Sequence, residues 1–227
     1  MSIQFHEAMK GILSMPYYKN QNARSGEVIH GHEDAVGNKL REFGFKTCLK
    51  EDFKAITKSI LRHWADTGND SKLRAVAKNM PLGSYITQPA GSQGFPDVLV
   101  RDYNDRFIAI ECKSVSSTGT PMWNDSLPKP NAIYALNSGK YNTTTVFLGR
   151  DVISPNELAM MKELEEENNR RSKEYELKLA GIDKFNRGWV QRARKQHFQF
   201  GGNTKTDYFV HADRQKCEQN VLEYAKQ

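Results

Sequence analysis

The chain has 227 residues, enough for one ordinary domain with a hydrophobic core and too few for a catalytic module beside a motor or a repeat array. Hydrophobic residues make up 38% and charged residues 26%, which is foldable rather than disordered, and 33 Lys and Arg against 27 Asp and Glu give a formal charge of +6 that suits a polyanionic partner. Three separated cysteines with no C-x-x-C pair argue against a disulfide framework or a zinc knuckle, and the lack of a secretory leader or a long apolar run argues against export and membrane insertion, so a cytoplasmic protein is expected.

Taken in chain order, Ala35, Val36, Leu40 and Phe43 recur at three- and four-residue steps and predict a helix over 31–42, ended by Gly44. Phe53, Ile56, Ile60, Leu61 and Trp64 predict a second helix over 53–65, and residues 71–80 a third, stopped by Pro81. The glycine-rich stretch after Gln88 reads as a loop. It leads into two β-rich runs, one beginning at Phe95-Pro96-Asp97 and one at Phe107, joined around Asn104 and Asp105 as a hairpin. Residues 114–130 are rich in Ser, Thr, Gly and Pro, and 143–149 read as a third buried strand. Ser154-Pro155-Asn156-Glu157 is a capping box that opens a charge-dense helix running to Leu179 and closed by Gly181. Glu166/Arg170, Glu167/Arg171 and Glu174/Lys178 are supportive pairs along it. The tail carries a basic, aromatic-interleaved cluster over 187–200, a strand candidate at 206–210 and a last helix over 214–225.

The hairpin carries the chemistry. Residues two apart on a strand share a face, so Glu111 and Lys113 project together on the side of Phe107 and Ala109, while Ile108, Ile110 and Cys112 turn into the core. Asp97 joins them only if it pairs opposite Glu111 or Lys113. That requires an odd number of loop residues, such as three (103–105), or a bulge, and this is the arrangement expected, with the pairing centred on Asn104 or Asp105. An even two-residue loop would set Asp97 opposite Cys112 and abolish the site. Two carboxylates and an ammonium at a polar rim suit a hard divalent cation, with Lys113 positioning a nucleophile and stabilising transition-state charge more than abstracting a proton.

Phe95-Pro96-Asp97 with Ile110-Glu111-Cys112-Lys113 resembles the PD-(D/E)XK nuclease superfamily, over about residues 91–149. The resemblance implies an α/β fold with a mixed central β-sheet flanked by helices, a restriction-endonuclease-like core. It implies Asp97 and Glu111 as Mg²⁺ ligands, Lys113 as the catalytic lysine, and an auxiliary acid from an N-terminal helix, for which Glu33 is the best candidate. The compact length is most similar to an orthodox type II restriction endonuclease, a homodimer that cuts a short sequence in double-stranded DNA and leaves 5′-phosphates. On this reading residues 1–227 are a single nuclease domain with its core at about 31–180 and a basic portion, 181–227, that contacts DNA. The alternatives are a structure- or damage-directed nuclease on the same core and a non-catalytic DNA-binding module.

Other signals are weaker. His30, His32 and Glu33 near a helix start read as capping or surface groups rather than a zinc or HNH-like site, because no further ligands are suitably spaced. Arg187, Arg192, Arg194 and Lys195 are candidates for DNA contact, against a reading in which Trp189 and Phe198 are core residues. Residues 114–129 leave the catalytic strand directly and are long for a loop, so Ser114, Trp123, Asn124 and Lys129 are expected to touch bases or backbone.

Overall fold

The computed structural model describes residues 3–18, 31–92, 94–124, 127–190, 196–197, 199 and 206–227, with only the backbone described at Asn124, Gln196 and His197. The chain opens with a helix that sequence analysis did not anticipate. In α1 (Ile3–Leu13), Phe5, Ala8, Met9 and Ile12 recur on one face and all are buried. Helix α2 (His32–Glu42) lies within a residue of its expected bounds, and Gly44 beyond it takes φ 93°, a left-handed turn that leads into β1 (Lys46–Thr47).

The helix expected over 53–65 begins later. Phe53 closes a short 3-10 helix (Lys50–Phe53), and α3 (Lys58–Thr67) starts after Thr57, whose hydroxyl accepts the Ile60 amide and so fixes the helix start. Helix α4 (Ser71–Val76) is shorter than expected. There follow β2 (Ser84–Thr87), β3 (Val98–Arg101), β4 (Phe107–Val115), β5 (Trp123–Asn124), β6 (Ala132–Ser138) and β7 (Thr143–Leu148). Helix α5 (Pro155–Ala180) carries the expected capping box: Ser154 accepts the Glu157 amide while Glu157 accepts the Ser154 amide. Strand β8 (Gln196–His197) and α6 (Arg214–Lys226) complete the chain, and residues 206–210 form turns rather than the strand expected there.

The strands build a mixed six-stranded sheet in the order β1-β2-β3-β4-β6-β7, in which β1–β2 and β4–β6 are parallel and the other neighbours antiparallel. A separate antiparallel pair joins β5 to β8. The protein is therefore α/β, a mixed sheet flanked by helices. Strand β7, the expected third strand, does not border β4, because β6 lies between them; β6 is buried along its whole length.

Both faces of the sheet carry a core. On one, Val98, Val100, Ile108, Ile110, Ile133 and Val146 meet α1, α2 and α6. On the other, Leu99, Ala109, Tyr134 and Phe147 meet Trp64 of α3, Leu73 of α4 and Trp123. The core thus reaches α1 and α6, beyond the 31–180 bounds expected from sequence. No helix among the described residues is long and apolar enough to cross a membrane.

The β3–β4 turn is built by Asp102, which is fully buried and accepts the amides of Asn104 (2.9 Å) and Arg106 (2.8 Å) and the Arg106 Nε (2.9 Å). Asp105 takes φ 60° and is held by Arg101 at 2.7 Å and Arg74 at 2.9 Å. The loop has five residues, 102–106, and the register runs Val98–Ile110, Leu99–Ala109, Val100–Ile108, Arg101–Phe107.

Because α1 closes one face of the core, Ile12→Ala is expected to lower unfolding free energy by about 2–5 kcal/mol. Ile3→Ala, at an exposed position of the same helix, should stay within about 0.5 kcal/mol of the parent in urea titration.

Candidate active site

The register is centred on Asn104, an odd loop, so extending it by one pair sets Asp97 opposite Glu111. Regular β3–β4 pairing stops at Val98, and there the Asp97 side chain takes over the strand's role: its Oδ2 accepts the Cys112 amide at 2.7 Å. The Asp97 carbonyl accepts the Gln88 amide at 2.6 Å, which ties the same residue to the end of β2.

Glu111 and Lys113 emerge from one face of β4, and Lys113 Nζ donates to Glu111 Oε1 at 2.8 Å. Their side chains are only 12% and 17% exposed, so the pair is largely buried rather than on an open rim. The second oxygen, Glu111 Oε2, is buried without a hydrogen-bond partner. A buried carboxylate oxygen with nothing to accept from is costly.

Glu33, in the first turn of α2, reaches the same place from the other side of the sheet and accepts from Gln88 Nε2 at 3.1 Å. Burial, then the nearby charges of Glu111 and Glu33, push the Asp97 carboxyl up to about 8, against the Cys112 amide and Lys113, which favour its ionised form. Burial and the same acids push the Cys112 thiol well up. The cluster is thus over-supplied with negative charge.

Among the described residues no group of three or more His, Cys, Asp and Glu side chains converges as a metal-holding set. The two carboxylates nevertheless fit a hard cation of the Mg²⁺ type, which protein commonly holds through one or two carboxylates while water and phosphate supply the rest. The orphaned Glu111 Oε2 and the crowded Asp97 carboxyl are the groups that such a charge would satisfy.

Gln88 was missed by sequence analysis. Its backbone takes φ 47°, and its amide and side chain join Asp97 and Glu33, acids 64 positions apart in the chain. Nothing in the local pattern marks it beyond its place at the head of the glycine-rich loop.

Other expected residues lie elsewhere. Trp123 is 2% exposed, packs edge-on against Tyr134 and Phe147, and donates its indole N–H to Gln199 at 3.3 Å. It is a core residue, and its expected contact with DNA is withdrawn. Lys129 is likewise corrected: it is 7% exposed and bonds to Asp66 at 3.0 Å, and burial lowers its ammonium pKa. Ser114 lies on β4 on the face shared with Cys112, not with Glu111 and Lys113. The Asn124 backbone pairs with Gln196 in the small sheet.

Arg187 is exposed, as is Trp189 at 70%, which removes Trp189 from the core. Arg192, Arg194, Lys195 and Phe198 lie outside the described residues, as does His30. His32 is neither a cap nor a surface group. It is 2% exposed, Nε2 donates to the Ala135 carbonyl at 3.0 Å, and burial pushes its pKa down to about 4. Comparison with protein-family models, curated proteins and solved structures finds no match to this chain.

Asp97 makes metal-free stability depend on pH. Its carboxyl holds a proton in the folded state that the unfolded chain releases near pH 4, so this contribution to stability is full below that pH and is lost as pH rises toward about 8. His32 acts in the opposite sense: its contribution is full above pH 6.5 and fades as pH falls toward about 4. Between pH 6.5 and 8 the Asp97 trend is therefore not opposed by His32. Urea titrations in chelator should show parent stability falling across that window, while Asp97→Asn stays flat.

Proposed function

We propose that the protein is a Mg²⁺-dependent endonuclease acting on double-stranded DNA, with a restriction-endonuclease-like core and cleavage at a short specific sequence that leaves 5′-phosphates. One observation carries the reading. Asp97 stands opposite Glu111 at the end of a paired hairpin, with Lys113 bonded to Glu111 and Glu111 Oε2 buried without a partner. The resemblance of Pro96-Asp97 and Glu111-Cys112-Lys113 to the PD-(D/E)XK motif supports it, and the surplus of positive charge suits DNA.

Asp97 and Glu111 would hold the cation. When bound, Mg²⁺ supplies polarisation of a phosphodiester oxygen and a lowered pKa for water. The chain's own groups do the rest. Lys113, which donates to Glu111 Oε1 at 2.8 Å, would serve as the ammonium that donates to a phosphate oxygen and balances charge developing there. Glu33, which accepts from Gln88 Nε2, would serve as the auxiliary acid. The Cys112 amide fixes Asp97 Oδ2 at 2.7 Å, so the hairpin backbone orients the carboxylate that would hold the cation. A pair of chains would offer one such centre to each DNA strand, as the homodimer of the resembled family does.

Incubation with plasmid DNA and Mg²⁺ is expected to give discrete fragments, with cleavage abolished by chelator. Asp97→Asn, Glu111→Gln and Lys113→Ala should each lower the rate by about 10²-fold or more while the protein stays folded. Fragmentless cutting confined to junctions or flaps would favour a structure-directed nuclease. Binding without cleavage, or a Lys113→Ala protein as active as the parent, would remove the mechanism.

A further inference from the structure

Asp66, in the last turn of α3, draws two ammonium groups from distant parts of the chain. Its Oδ2 accepts from Lys129 Nζ at 3.0 Å, and its Oδ1 accepts from Lys162 Nζ of α5 at 3.3 Å. Lys129 comes from the crossover ahead of β6 and is buried, whereas 41% of the Lys162 side chain stays exposed. Arg62 stands four residues before Asp66, one turn away on the same face of α3. At that spacing it would be the ordinary partner of Asp66. The carboxylate turns to the two lysines instead, and Arg62 Nε is buried without a hydrogen-bond partner.

Three cations thus gather about one carboxylate. Burial lowers the Lys129 ammonium pKa, Asp66 holds it up, and the like charges of Lys162 and Arg62 press it down again. Positive charge is left unanswered in a partly buried place, and a guanidinium N–H there has nothing to donate to. One kind of ligand remedies both deficits, an anion with several oxygens. A carboxylate holds both its oxygens in one plane. A phosphate spreads its oxygens tetrahedrally, so it can accept from the edge of a guanidinium while another oxygen meets an ammonium.

We infer that Arg62 and Lys162 form a binding site for a phosphate group, with Asp66 and Lys129 supporting it from behind. Arg62 supplies the forked donor edge and Lys162 a point charge. Asp66 is the device that lets the cations stand together, since without a carboxylate between them the two lysines would repel. Lys129, bonded through both oxygens of Asp66 at 3.0 and 3.2 Å, fixes that carboxylate and adds its field without touching the ligand.

The place of the site points to where the phosphate comes from. Tyr134 is the cross-strand neighbour of Glu111, so the two side chains share a face of the sheet, and the Tyr134 hydroxyl accepts the Lys129 amide at 2.7 Å. The cluster therefore lies on the same face as Glu111 and Lys113. A duplex seated with one phosphate at Glu111 would carry neighbouring phosphates over that face, which favours the DNA backbone as the source. That assignment of source rests on the nuclease reading. The site itself does not, because a free phosphate would meet the same donors.

Melting curves of the full chain in chelator, with inorganic phosphate set against chloride at equal ionic strength, test the site. Phosphate is expected to raise the parent's midpoint above that in chloride. Arg62→Gln and Lys162→Gln should each remove the difference, and Lys78→Gln, at an exposed lysine elsewhere, should keep it. Lys162 is exposed enough to be replaced without unfolding the protein, so the test does not depend on Arg62 alone. Binding of duplex DNA without magnesium, titrated across salt, then tests the source. If the phosphate is the backbone's, both variants bind about tenfold more weakly and the salt slope of each falls by about one. Parent-like DNA binding by variants that have lost the phosphate response assigns the site to free phosphate and sustains the inference. A phosphate response that both variants retain would overturn it, as would a parent with no response whose variants bind DNA as it does. A protein that responds to phosphate but neither binds nor cuts DNA would remove the nuclease reading and leave this site standing.

Discussion

The register of one hairpin governs the rest of the molecule. Asp102, buried at the turn, collects two amides and an arginine Nε, and Arg74 and Arg101 pin Asp105 beside it, so the loop holds five residues and no other number. Five is odd, and Asp97 therefore faces Glu111. A slip of one residue would turn β3 over against β4, taking Val98 and Val100 out of one core and Leu99 out of the other. Two hydrophobic cores thus lock a geometry that the acids themselves would oppose, since close carboxylates repel.

That opposition is the chemical content of the site. Asp97 from just before β3, Glu111 from β4 and Glu33 from α2 are brought to the end of the sheet where β3 pairing stops. Lys113 answers part of the charge, and the raised Asp97 carboxyl and the unpartnered Glu111 oxygen show that part remains. A cluster of this kind costs stability unless a cation or a proton joins it. The fold can carry the cost because it is concentrated at one strand end, while buried apolar strands run through the interior.

Several elements were legible because their signal is local. Ser154 and Glu157 cap α5 through main-chain contacts three residues apart, and Glu111 and Lys113 share a face because β-strands alternate. Helix α1 is legible too, since Phe5, Ala8, Met9 and Ile12 follow helical spacing. Strand β6 is a different case. It is buried on both faces, so Ile133, Tyr134, Ala135 and Leu136 show no alternation that would mark a strand. Missing it made residues 114–129 look like a free loop after the catalytic strand. They are instead the crossover between two parallel neighbours, β4 and β6, and Trp123 and Lys129 are spent on packing and on Asp66.

The amino-acid order by itself determined the α/β character, the pairing of Glu111 with Lys113 on one strand face, and the parity that any turn must have for Asp97 to join them. These follow from backbone periodicity, which acts over a few residues. Only the tertiary structure decided that the turn is odd, that Glu33 reaches the site through Gln88, that His32 is buried, and that Lys129 answers Asp66 rather than a partner. Each of those depends on which distant segments are brought together to bury apolar surface, and no local pattern encodes that choice.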